Sequence, residues 1–395
     1  MKKILFFITS LTFISLVSAQ TVKNQSTAVA EKTKSEAKPV KEIMQGLLNV
    51  TSKIYPYIFS ESKFTDKANE SQIKPLLADF KQKAQELKTS QFAQSDDMKF
   101  RSAQLFDIVS EAESSFSGGF KNYSYWALRS SYNNCYSCHT DKSLPATAIK
   151  ADVMKGASDF ENAEYLFLVR NYSEAIPLYI KLIKNYPRNK VSEAQLQEIT
   201  KKVFYYYVRI EQDDNKAIKM LDEVLISRRL PENIRKQLYT WNKFLEAKKA
   251  HPVVITKVES EQDIKNLIAS YENLAKGLDQ NHVQYVLSLE TSHALFKQLE
   301  SNKNKDLKPW LLYYSADLAK YNRTSMFDLT TELYLAECLE VYAGSDAAPK
   351  CLELYKDIKV KSQGSGGHVP KETFDQIKIY EDSISKAQKN KSKSK

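Results

Sequence analysis

The sequence predicts an all-α protein, and three observations carry that expectation. Gly and Pro are scarce, at 9 and 11 in 395 residues. Lys, Glu, Leu and Ala are plentiful, and apolar residues recur at three- and four-residue spacing. Nowhere does a long Val/Ile/Thr alternation suggest a strand. With 42% apolar residues the chain affords sizeable cores, and its length allows two or three domains.

The elements follow in order. Residues 1–19, MKKILFFITSLTFISLVSA, pair two lysines with an apolar run from Ile4 to Val17 and small residues at Ser18 and Ala19. This is the pattern of a cleaved secretory signal peptide. The run is short and diluted by Ser and Thr, so a membrane anchor is the lesser reading. Gln20 rather than Cys follows the cut, which argues against a lipoprotein. The expectation is an exported, periplasmic protein with no transmembrane segment after cleavage. Residues 20–37 read as a polar, flexible linker.

Residues 38–148 read as four amphipathic helices forming an antiparallel four-helix bundle. The first opens at Pro39 and carries Val40, Ile43, Met44, Leu47, Leu48, Thr51, Ile54 and Tyr55, with an end expected near Pro56. The second is expected to begin near Pro75 and to present Leu76, Leu77, Phe80, Ala84 and Leu87. A third follows Ser95-Asp96-Asp97 with Met98, Leu105, Phe106, Val109, Ala112 and Phe116, and stops at Gly118-Gly119. The fourth starts near Asn122 and runs through Trp126, Ala127 and Ser130.

Residues 152–389 change character. The phrase at 163–187 reads as helix-turn-helix, with Tyr172 at the turn and Pro187 closing it. A looser copy contains Phe204, Tyr205 and Val208, then 217–225, then Pro231. A period near 42–44 residues predicts a helical solenoid. Further pairs fall at 262–278 with 281–299, 308–322 with 326–342, and 348–361 with 371–388. The last pair is separated by the loop 362–370, and residues 390–395 form a basic tail.

Lys and Arg number 58 against 48 Asp and Glu, a net +10 to which the Lys-rich C-terminal run KAQKNKSKSK contributes five. Terminal basic runs are ordinarily solvated. No aromatic-plus-basic module accompanies them, so nucleic-acid binding is set aside in favour of an acidic redox partner or an anionic surface.

Chemistry concentrates where the fourth helix closes, at Cys135-Tyr136-Ser137-Cys138-His139. Cysteines three apart on a helical turn face one side, where both thiols can add to the vinyl groups of one haem, and the adjacent His139 can ligate its iron. A thioredoxin-like pair would follow a strand and open a helix, whereas this one closes a helix. A zinc site would need two nearby ligands, and the other cysteines lie some two hundred residues away. One covalent haem c is the expected cofactor.

Four helices ending in this motif resemble the class II cytochromes c, the cytochrome c-prime group, over residues 38–145. The resemblance rests on the motif and its placement late in the domain. Thr140-Asp141-Lys142 stands where that family often has a basic residue and an arginine. The resemblance implies a distal residue from the first helix, which singles out Met44 as a possible sixth ligand, with Met98 and Met154 as lesser candidates and core packing as the bland alternative. The later repeats resemble tetratricopeptide units.

Cys338 and Cys351 flank a turn near Gly344-Ser345-Asp346 and form a disulfide candidate. His251, His282, His293 and His368 are scattered, with no two at metal spacing on one helix face. No Ser/His/Asp arrangement or phosphate-cradling loop is present. The expected role is electron transfer rather than catalysis, the repeat domain docking a protein partner. A five-coordinate haem that senses or carries a small gas is the first alternative, and a scaffold with a structural haem the second. A peroxidase would need a distal acid and base that nothing marks.

Overall fold

Ser192 accepts from the backbone N–H of Gln195 while the Gln195 side chain accepts from the backbone N–H of Ser192, and the same reciprocal cap recurs at Ser158/Glu161 and Ser260/Asp263. Each cap opens a helix. The computed structural model describes residues 38–94, 96–141, 156–322, 330–361 and 371–393. Among these the protein is all-α, with sixteen α-helices and no strand. The expected signal peptide, the linker 20–37 and the loop 362–370 lie outside the described residues.

The first helices are α1 (Val40–Ile58), α2 (Glu61–Thr65), α3 (Glu70–Lys88), α4 (Asp96–Ser117) and α5 (Lys121–Asp141). Two boundaries differ from the sequence expectation. α1 continues past Pro56 to Ile58, because a proline in the final turn removes only one ladder bond. α3 starts five residues before Pro75, which lies inside the helix. The carbonyl this proline leaves without its ladder donor belongs to Ser71, an exposed residue. The short α2 was not foreseen; Ser60 caps it and Phe64 anchors it. α4 ends at Gly118-Gly119, where Phe120 N–H donates to Ser115 O and Gly119 N–H to Phe116 O. Gly119 adopts φ +88°, the left-handed conformation such a cap requires.

These helices enclose one apolar core. Ile43, Leu47, Val50 and Ile54 of α1, Leu77 and Phe80 of α3, Val109 and Ala112 of α4, and Leu128 of α5 are all buried in it. Val40, expected on the inner face, is exposed because it occupies the first turn. α1 and α3 run antiparallel: Tyr57 Oη donates to Gln72 Oε1 (2.5 Å) at one end, and Gly46 lies against Lys83 at the other. α3 and α5 run parallel, tied by Lys121 to Glu70 (2.9 Å) and by the Phe80 and Tyr132 rings (6.2 Å).

The chain continues through α6 (Asp159–Leu168), α7 (Tyr172–Lys184), α8 (Glu193–Tyr205), a π-helical turn Tyr206–Glu211, α9 (Asp214–Leu225), α10 (Glu232–Ala250), α11 (Glu261–Leu274), α12 (Gln280–Ser301) and α13 (Lys308–Ala319). These share a second core built around Tyr179, Phe204, Trp241 and Phe244. Tyr172, expected at a turn, is the first residue of α7; Arg170 turns the chain instead, at φ 65°. α10 was not anticipated, although Ile234, Leu238, Trp241 and Leu245 are fully or nearly fully buried along it. A third core joins α13 to α14 (Thr330–Val341), α15 (Ala348–Lys361) and α16 (Lys371–Lys393). Pro39–Lys395 form one compact unit.

The first and second cores meet at α6. Tyr165 and Val169 face the first, Phe160, Ala163 and Phe167 the second. Beside them sits a buried ion network. Arg129 of α5 donates to Glu164 (3.1 Å) and Glu198 (3.2 Å). Lys202 donates to both oxygens of Glu164 (2.6 and 2.5 Å) and lies 2.8 Å from Glu198. Tyr179 Oη donates to Glu164 at 2.6 Å. Two cations balance two anions, and the Glu164 and Lys202 side chains keep 3% and 5% of their exposure. Burial alone would lower the Arg129 pKa, but Glu198 and Glu164 overcome it and hold the guanidinium charged.

Glu164→Gln would leave two buried cations sharing the single Glu198 carboxylate, and is expected to cost about 3–5 kcal/mol. A urea unfolding midpoint unchanged from wild type would refute this role.

Candidate functional site

The C-x-x-C-H run falls in the last turns of α5, and the backbone remains helical through Cys135, Cys138 and His139 to Asp141. Of the three side chains, Cys135 is described: it is half-buried and packs against the first core. The side chains of Cys138 and His139 lie outside the described residues, as does Met154.

The surroundings of Cys135 are aromatic. Tyr132 precedes it by three residues, so both lie on one face of α5. The Tyr132 ring meets Tyr55 of α1 at 5.6 Å, and Tyr55 meets Tyr165 of α6 edge-on at 5.3 Å. Burial, with further contributions that include the Cys135 sulfur, pushes both the Tyr55 and Tyr132 hydroxyls well above the usual phenol range, so both stay protonated. Tyr132 Oη is shut from solvent and has no hydrogen-bond partner among the described residues. A buried hydroxyl left without a partner is uncommon.

Register locates Met44 relative to the motif. Since α5 is parallel to α3 and α3 antiparallel to α1, α5 runs antiparallel to α1. From the Tyr55–Tyr132 contact, seven residues toward the end of α5 reach His139, about 10 Å on. The same distance toward the start of α1 reaches Leu48, and Met44 is one turn further. Met44 is half-buried against the same core. Met98, at the start of α4, is 3% exposed.

The remaining candidates are elsewhere. Cys338 of α14 and Cys351 of α15 are joined by a disulfide, with Cα atoms 6.5 Å apart and both side chains buried in the third core. His251 caps the end of α10, and the backbone carbonyl of His282 accepts from Trp241 Nε1 (3.0 Å). His368 lies outside the described residues. His293 sits on α12 near Glu290, which is 2% exposed and receives Lys248 at 2.7 Å. Burial first, then Arg209, Lys297 and Lys248, press the His293 imidazole down to about 3, so it is neutral. Among the described residues no group of three His, Cys, Asp or Glu side chains is arranged to hold a metal ion, and no helix is long and apolar enough to cross a membrane.

Sequence reasoning missed two things here. Tyr132 was legible in principle, since i−3 from a cysteine on a helix shares its face. The Arg129–Glu164–Glu198–Lys202 network, six residues upstream of Cys135, brings together positions far apart in the chain and left no local signal.

No protein-family model, no curated protein and no solved structure matches this chain.

Replacing Tyr132 with Phe removes a buried hydroxyl that has no partner among the described residues, so stability is expected to rise by about 1 kcal/mol; a fall in the denaturation midpoint would mean that the hydroxyl is paired. His293 has its native pKa depressed to about 3 against an ordinary 6.5, so the unfolded chain binds the extra proton between those values and stability drops on acidification through that window. His293→Gln should therefore shrink the loss of melting temperature between pH 7 and pH 4. An equal loss in both proteins would contradict it.

Proposed function

We propose that the chain is an exported monohaem c-type cytochrome that transfers electrons, with Cys135 and Cys138 tethering one haem and His139 as proximal ligand. The single observation that carries this reading is the C-x-x-C-H run closing α5, with its first thiol set against a buried aromatic seam. The residues fit such a group. The donor set is two thiols and an imidazole on one helical turn. Beside it, Tyr132 Oη has no acceptor among the described residues, which is what an anionic edge of a bound cofactor would supply.

A bound haem supplies one-electron redox chemistry; the chain supplies attachment, orientation and dryness. Tyr55, Phe80 and Tyr132 form an apolar wall that excludes water beside Cys135. In the finer arrangement we propose, α1, α3, α4 and α5 act as a four-helix bundle of the class II kind and the later helices as a tetratricopeptide-like docking module. Met44 is the proposed distal ligand, on the strength of its half-burial and its height on α1; a thioether there would raise the reduction potential. Export is proposed from the pattern of residues 1–19.

The test is expression with a haem-ligation system. The purified protein is expected to be coloured, to gain the mass of one haem, and to lose both properties in Cys135→Ala/Cys138→Ala. Colourless protein at polypeptide mass overturns the reading. A ferrous spectrum unmoved by carbon monoxide supports electron transfer with Met44 as ligand, and Met44→Leu should then make it responsive. A wild-type spectrum that shifts with carbon monoxide assigns the open-site, gas-binding alternative instead.

A further inference from the structure

Apart from the seam around Cys135, α4 and α5 form one wall of a cleft of about 420 Å³ whose other wall is α14 and α15. The cleft is independent of the haem reading, and its lining is unlike the rest of this chain. The protein as a whole carries +10, yet Asp107, Glu111 and Glu332 line the cleft against a single cation, Lys359. That lysine is already engaged, at 2.7 Å from Glu332. Asp107 has one partner at the rim, Lys88 at 3.4 Å, and Glu111 accepts the Tyr123 hydroxyl. Ser130 spends its hydroxyl proton on the Ala127 carbonyl (2.7 Å). Gln104 Oε1, also in the lining, is nearly inaccessible and accepts no hydrogen bond among the described residues. The cleft thus offers acceptors and a net negative charge, three carboxylates against one ammonium.

Two large aromatic rings stand at the same place. Trp126 is 52% exposed and Tyr123 54%, unusual for side chains of this size on a helix whose neighbours Tyr125 and Leu128 are buried. An aromatic face beside carboxylates attracts organic cations through its quadrupole and gives methylene groups an apolar bed. A neutral hydroxylated ligand such as a sugar would also stack on these rings, but would leave the net negative charge of the lining uncompensated. A ligand that brings its own donors, carries positive charge and has an aliphatic stem satisfies every feature.

We propose that this cleft binds a linear organic polyamine, its methylenes against Trp126 and Tyr123 and its ammonium groups on Asp107, Glu111 and Glu332.

Calorimetric titration of the full chain with spermidine tests this, and needs no haem. Binding is expected to weaken steeply with added salt. It should weaken about tenfold or more in Glu111→Gln/Glu332→Gln and in Trp126→Ala, each loss equal to roughly 1.4 kcal/mol or more. Trp126→Phe should retain most of it, and Glu246→Gln, an exposed acid outside the cleft, should not change it. Far-ultraviolet circular dichroism confirms that each variant is folded, and the Phe variant keeps the test decisive if the Ala variant is not. No heat with millimolar spermidine, or equal affinity in all variants, overturns the proposal. Equal or tighter binding of maltose overturns it in favour of a carbohydrate site. Tighter binding of a peptide with the sequence of residues 386–395 overturns the small-molecule assignment in favour of a basic polypeptide.

Discussion

Glu164 is the residue on which the rest of the structure depends. Its carboxylate gathers Arg129, Lys202 and Tyr179 from three different helices, and Glu198 completes the charge balance. A carboxylate this deeply buried is tolerable only with its partners in place, since an isolated buried charge is far costlier than the attraction any one pair returns. The network therefore does more for specificity than for net stability: any packing of α5 on α6–α8 that leaves one of the four unpaired is penalised. The helix so positioned is the one that carries Cys135.

Much of the fold was legible in the sequence because helices advertise themselves locally. The inner faces of α1, α3 and α4 follow from their apolar spacing, and Leu77, Phe80, Val109 and Ala112 are buried as that spacing implies. The end of α4 followed from Gly118-Gly119, since few other residues adopt the left-handed φ seen at Gly119. Prolines misled at two boundaries. Pro75 suits a first turn, yet it is also tolerated inside α3 where the carbonyl it orphans belongs to an exposed residue. α10 escaped notice because polar residues share its inner face: Gln237, Thr240 and Asn242 are buried alongside Leu238 and Leu245. The S-x-x-E/Q/D phrases at 158, 192 and 260 would have located three helix starts.

The candidate site divides along the same line. A C-x-x-C-H run is local chemistry, visible without any fold. What surrounds it is tertiary. Tyr55 reaches Cys135 from another helix, and no spacing rule connects position 55 to position 135. Arg129, Glu164, Glu198 and Lys202 look in sequence like ordinary solvated charges, which is the correct default for most such residues. The acidic cleft is hidden for the same reason, because Glu332 joins Asp107 and Glu111 only once α14 packs beside α4.

The two-sided burial of α6 has a consequence for how such a chain is assembled. From Phe160 to Arg170 every residue is buried or half-buried, so this stretch offers little outward surface at which one part of the molecule stops and the next begins. A gene fragment ending before it would lack the rings that close the first core, and one starting after it would open the second core to water. The helices before α6 and those after it are thus not beads on a string that evolution or a cloner can exchange freely; they share a party wall, and neither room stands without it.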